Sequence, residues 1–87
     1  MPPYKVLVSI EILELERPSR RQRDQILHFL QILANNPTKP GDYEEHDAVG
    51  RPIQIKIVGD YALTYWADHA VREVKVIQIE KADRFLP

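Results

Sequence analysis

The stretch from Gly50 to Trp66, GRPIQIKIVGDYALTYW, restricts the fold more than any other part of the sequence. Ile53, Ile55 and Ile57 alternate with Gln54, Lys56 and Val58, which is the spacing of a half-buried strand rich in β-branched residues. Gly59-Asp60 supplies turn chemistry, and Tyr61 to Ala67 resumes the strand pattern, so the two segments form an antiparallel hairpin. Opposed residues share a face. Placing Leu63 and Tyr65 with the isoleucines requires pairs such as Ile57 opposite Leu63, and hence a three-residue connection, Gly59-Asp60-Tyr61. A two-residue loop would pair Val58 with Tyr61 and send Leu63 to the other face; the three-residue loop is the expectation.

Tyr4 to Ser9, YKVLVS, reads as a first strand, with Val6 and Val8 at alternate positions. From Ile10 to Arg17 the apolar residues fall three apart among Glu11, Glu14 and Glu16, the pattern of a short helix that Pro18 brings to an end. Ser19 with Gln22 three residues on fits a capping box that opens a second helix. Its buried stripe is Ile26, Leu27, Leu30, Leu33 and Ala34, and Asn35-Asn36-Pro37 closes it, with asparagine suited to a left-handed cap. The segment from Pro37 to Gly50, with the acidic run Asp42-Tyr43-Glu44-Glu45-His46-Asp47, has no apolar period and reads as an exposed loop. After the hairpin and a turn at Asp68-His69-Ala70, Glu73 to Ile79 is a fourth strand. Its apolar parity changes between Val76 and Ile77, which suggests burial on both faces. The order predicts an α+β domain: a two-helix hairpin packed on one face of a small antiparallel sheet, β-α-α-β-β-β.

Composition bounds the function. At 87 residues the chain suits a single domain, 1–87, that buries roughly 60 to 65% of its unfolded surface. Twelve basic and thirteen acidic residues give a net charge of -1, too balanced for long-range attraction to nucleic acid, so any anion site must be local. The absence of cysteine excludes disulfides and thiolate chemistry and suits a reducing compartment. The N-terminus lacks the pattern of a secretory signal and no apolar run reaches a membrane span, so a cytoplasmic protein with no membrane partner is expected.

No Gly-rich phosphate loop, nucleophile elbow or zinc-binding helix is present. His46 between Glu45 and Asp47 is a poor metal site, because adjacent ligands in a loop do not preorganise a coordination sphere; no metal or cofactor is implied. Arg20-Arg21-Gln22-Arg23 at a helix start needs no ligand to explain it. The face opposite the isoleucines is expected to present Gln54, Lys56, Val58, Ala62, Thr64 and Trp66, left open for binding. Two readings of Trp66 stand side by side: a platform for a base or a partner's apolar side chain, or a ring packed beneath the C-terminal tail.

The element order, the helical segment ending LANNP at Asn36-Pro37, the hairpin from Gly50 to Trp66 and the closing VKVIQIEKADR from Val74 to Arg84 together resemble the RelE/ParE toxin superfamily, over nearly the whole chain. The resemblance implies the toxin of a bacterial type II toxin-antitoxin pair, with a cognate antitoxin as partner. RelE-like members cleave messenger RNA on the ribosome, whereas ParE-like members poison DNA gyrase. On the first scheme Lys56 and Arg84 match catalytic phosphate-handling positions. Arg51, Gln54, Trp66 and Lys75 would contact nucleic acid, and Val58, Thr64 and Trp66 would contact the partner. The chain departs from the pattern at Ala62, where an arginine is usual, at Ala82, a slot often basic, and at its end, Phe85-Leu86-Pro87, which lacks a tyrosine or histidine. Each lost charge-stabilising donor costs about 3 kcal/mol, or roughly a hundredfold in rate. Arg51, Arg72 and Lys75 are the neighbouring cations that would have to compensate. The expectation is ribosome-dependent messenger RNA cleavage by a weakened, metal-independent endoribonuclease; the alternative is a non-catalytic ParE-like gyrase inhibitor, or a degenerate toxin that only binds its antitoxin.

Overall fold

Ser19 does start a helix. In the computed structural model, which describes residues 2–9, 11–12 and 17–85, helix α1 runs from Arg20 to Asn35, and the Ser19 hydroxyl accepts the amide of Gln22. The second half of the expected box is absent: the Gln22 side chain donates instead to Asp60, 2.7 Å away, and ties the helix start to a distant turn. Asn36 caps the other end at φ -143, outside the left-handed region, with its amide bonded to the carbonyls of Ile32 and Leu33. The buried stripe is Ile26, Phe29, Leu30 and Leu33. Leu27, expected in that stripe, is 40% exposed.

The strands are β1 (Lys5–Val8), β2 (Tyr43–His46), β3 (Pro52–Val58), β4 (Tyr61–Asp68) and β5 (Glu73–Lys81), and a 3-10 turn spans Ala82–Phe85. They form one sheet in the order β1-β5-β4-β3-β2, with β1 parallel to β5 and every other pair antiparallel. The expected architecture is therefore corrected. Among the described residues there is one long helix on a five-stranded mixed sheet, not a two-helix hairpin on an antiparallel sheet in the order β-α-α-β-β-β. Of residues 10–17, where a first helix was expected, 10 and 13–16 lie outside the described residues; Glu11 and Ile12 are helical, and Arg17, at φ 47, is not. β1 and β5 run in the same direction, a pairing that a tight hairpin cannot make and that here joins strands separated by the helix and three other strands.

The additional strand, β2, lies inside the segment expected to be a loop. All four of its residues are exposed, so no hydrophobic period could mark it, and it is held by backbone pairing such as Tyr43 opposite Ile55. Carboxylates at Glu44 and Glu45 suit such an edge, since charge there discourages further strand addition.

The β3–β4 register also differs from the expectation. Val58 pairs with Tyr61, Ile57 with Ala62 and Lys56 with Leu63, around a two-residue Gly59-Asp60 turn. Gly59 has φ 60, which fits the preference of type II′ hairpin turns for glycine at the first central position. Tyr61, Leu63 and Tyr65 consequently face α1, together with Val74, Val76 and Ile79, and form the main core. Phe29 meets Tyr65 edge-on, with ring centroids 5.7 Å apart. The isoleucines take the other face, where Ile55 packs with Ala62 and Ala82 beneath Ile57 and Phe85. Apolar burial on both faces of β3 and β4 resolves the parity problem in favour of the shorter turn.

The parity change in β5 has a different origin from the one expected. The β4–β5 register shifts between Thr64, opposite Gln78, and Tyr65, opposite Val76, leaving Ile77 as the extra residue of a bulge. Val74, Val76 and Ile79 are buried on the helix side and Ile77 is exposed. A bulge, not two-sided burial, restores the inward phase.

Candidate functional site

The register sorts the candidate residues onto two faces. Gln54, Lys56 and Val58 stand opposite Tyr65, Leu63 and Tyr61 and so share the helix side; Ala62, Thr64 and Trp66 lie on the other. The single open face expected from sequence does not exist as such, and the two catalytic candidates are separated. Lys56 bonds Asp42 at 3.2 Å on the helix side. Arg84, in the 3-10 turn after β5, bonds Glu80 at 2.7 Å and approaches Glu45 at 3.8 Å; its guanidinium lies 4.2 Å above the Phe85 ring.

Across the face away from the helix, each candidate cation is held by a carboxylate and an aromatic ring. The Arg51 Nε donates to Asp47 at 2.8 Å while the guanidinium carbon sits 3.8 Å above the centre of Trp66. Lys75 donates to Asp68 at 3.0 Å and lies 5.0 Å from the same ring. Trp66 is thus packed against two cations. Of the described residues of the C-terminal tail, Phe85 covers Ala62 and Ala82 and stacks on Tyr43, with ring centroids 5.4 Å apart. Thr64 is 4% exposed, so it offers a partner almost no surface.

The electrostatics follow these contacts. The amide of Ile57, and then Lys56, hold the Asp42 carboxyl below its ordinary range. Asp47 is lowered first by the Arg51 amide and Asp68 first by the Lys75 ammonium. Hydrogen bonding to Glu80 raises Arg84. Burial pushes the Tyr65 hydroxyl up to about 12, so it stays protonated and donates to the Lys39 carbonyl. Exposed pairs of this kind are screened by solvent and add little to stability, so their main effect is to fix side-chain direction and reduce local net charge.

Three of the four nucleic-acid candidates do converge. Arg51, Gln54 and Trp66 line an open cleft of about 460 Å³ under the segment from Pro37 to Pro40, which Lys39 and His69 also line. Gln54 holds the loop by accepting the Gly41 amide and donating to Glu44. Lys75 does not line the cleft. Sequence reasoning passed over Lys39 and His69 because one sits in a proline-flanked loop and the other in a turn, with no pattern linking either to the hairpin. Among the described residues no three His, Asp or Glu side chains gather as a metal site, and no helix is long and apolar enough to cross a membrane.

No family model matches the chain, and no curated protein matches it. A chain in the crystal structure of the archaeal RelE-RelB complex from Pyrococcus horikoshii OT3 superposes with a TM-score of 0.76, covering 94% of this chain and 98% of that one. The chain has a RelE-like fold. The sequence identity is 15%, so the likeness speaks for the fold, and function has to be argued from the residues present. In this RelE-like sheet the two departures noted from sequence, Ala62 and Ala82, are adjoining members of one apolar cluster, and each is 0% exposed. Two of the places where the RelE/ParE resemblance implies phosphate-handling charges are therefore occupied by a buried apolar contact under Phe85.

Proposed function

We propose that the chain is the toxin-fold member of a toxin-antitoxin pair, bound by a small antitoxin protein, and that it acts by holding a macromolecule rather than by RelE-type cleavage. The observation that carries this reading is the buried contact of Ala62 with Ala82 beneath Phe85, on the opposite face of the sheet from Lys56. A scissile phosphate needs converging donors, and two candidate cations on opposite faces do not converge. A ParE-like contact with gyrase is the growth-inhibiting route compatible with such a chain. The fold supports the antitoxin partner: the similar solved structure is itself a RelE-RelB complex.

The convergence of Arg51, Gln54 and Trp66 in one cleft favours a second reading, in which messenger RNA on the ribosome is the target. The test is induction of the protein alone and together with the product of any adjacent small open reading frame. Growth arrest relieved by that product, with co-purification of the two, is expected. Unimpaired growth with no partner retained contradicts the toxin-antitoxin reading.

A further inference from the structure

We propose that the outer edge of β1 docks a second copy of this chain, the two β1 strands pairing antiparallel about a two-fold axis at Leu7. The inference goes beyond the toxin-antitoxin reading and does not depend on which macromolecule the protein holds.

The sheet ends in β1 on one side and β2 on the other, and the two edges are built differently. β2 carries Glu44 and Glu45 side by side. Two copies of β2 paired about an axis at Glu44, at Glu45 or between them set carboxylates directly opposite, which is destabilising. β1 reads Lys-Val-Leu-Val and has no carboxylate. Charge is a common guard against further pairing at a sheet edge, and within β1 only Lys5 supplies any.

The backbone phase of β1 selects the register. The Lys5 amide donates to the Arg72 carbonyl, so in the parallel ladder Lys5 and Leu7 turn their backbone groups toward β5, while Val6 and Val8 turn theirs outward. The outward row is closed at Tyr4, whose amide donates to the Ala34 carbonyl at 2.9 Å. Among the described residues, no backbone bond outside the ladder engages Val6 or Val8. With the axis at Leu7, Val6 of each copy faces Val8 of the other, and each such pair can exchange both of its N–H···O=C bonds. An axis at Val6 would instead need the Tyr4 amide, which Ala34 already occupies. An axis between two residues sets an outward group against an inward one and makes no ladder.

The side chains agree with that register. Leu7 is 44% exposed and stands beside Lys75 on the face away from the helix. Across the axis it meets Leu7 of the second copy at a non-hydrogen-bonded position, where antiparallel strands bring side chains closest. On the helix side Val6 and Val8 are half-buried at the rim of the main core, and each gains a valine of the second copy as a neighbour. Lys5 faces Ser9 of the second copy and has Glu73 beside it within its own chain. Lys75 is bonded to Asp68. Like charges are therefore not opposed across the new ladder, and a net charge of -1 per chain gives little long-range repulsion. So short a ladder falls among the small interfaces, below about 1,200 Å², that associate transiently.

Sedimentation equilibrium of the purified full-length protein, from about 10 μM to about 1 mM, covers the affinities of such an interface. The weight-average mass is expected to rise with concentration from that of one chain toward that of two. Leu7→Glu, which sets two carboxylates face to face, should hold the protein monomeric. Leu7→Thr keeps a β-branched residue in the strand and should weaken association about tenfold. Leu27→Ser, which removes an exposed leucine of the helix, should leave it unchanged. Amide exchange at Val6 and Val8 should slow as concentration rises, while Leu7, already bonded to β5, does not change. A monomer throughout the range, or a dimer indifferent to Leu7→Glu, overturns the proposal. Protection of Val6 and Val8 that appears only when a co-expressed antitoxin is bound assigns the edge to that partner and overturns it too. Because association is read on the isolated protein, failure here is distinct from failure to arrest growth or to retain an antitoxin.

Discussion

Val58 stands directly opposite Tyr61 across the Gly59-Asp60 turn, and this pairing decides which side chains share each face of the sheet. It turns Tyr61, Leu63 and Tyr65 toward the helix and leaves the isoleucines to build a second cluster behind them. It also puts Lys56 on one side and Trp66 on the other, so the chemistry of each face follows from a turn one residue shorter than the hydrophobic pattern suggested.

The turn should be sensitive to a single methyl group. Gly59 has φ 60, and a Cβ there would meet the Gln25 Oε1 at 3.1 Å. Gly59→Ala is expected to lose about 1–2 kcal/mol from the left-handed backbone alone, read as a lower urea midpoint with an unchanged slope.

Introducing an arginine at position 62 should harm the protein. Ala62 is 0% exposed within an apolar cluster, so Ala62→Arg must bury a guanidinium or expel Phe85. The expected loss is about 3 kcal/mol or more, seen in chemical denaturation, with no gain of RNA cleavage. Ala62→Val, an overpacking change without charge, separates the contribution of charge from that of volume.

Lys56 is expected to matter little to folding. Its pair with Asp42 is partly exposed on both sides, 31% and 40%, so Lys56→Ala should shift stability by about 1 kcal/mol or less. Denaturation of the variant beside the parent chain checks this.

Acidification should act through Asp42. Its carboxyl is held below the ordinary value first by the Ile57 amide and then by Lys56, so ionisation favours the folded state. That stability is present in full above the unfolded carboxyl value, about pH 4, and is lost as pH falls through the lower folded value. Asp42→Asn should flatten the fall of the urea midpoint below about pH 4 while leaving the contributions of Asp47 and Asp68, which are lowered in the same direction.

Much of this was legible in the residues. The Ser19 cap, the helix stripe at Ile26, Leu30 and Leu33, and the strands around Ile55, Leu63 and Val76 follow from spacing alone. The RelE likeness rested on element order and short motifs, and the fold bears it out. The register was illegible because both faces of β3 and β4 carry apolar side chains, so parity could not choose between them. Strand β2 was hidden because an exposed edge strand needs backbone partners, not buried side chains. The cleft joins Lys39, Arg51 and His69, which are far apart in sequence and gathered only when the Gly41 amide binds Gln54 and the Tyr65 hydroxyl binds the Lys39 carbonyl.

The most direct test of the central claim is primer extension on an abundant message after induction of the protein in bacteria lacking an antitoxin. The account predicts no new 5′ ends in phase with codons, even where growth stops. Translation-dependent, codon-phased ends that disappear in a folded Lys56→Ala variant would contradict it and restore RelE-type cleavage as the activity of this chain.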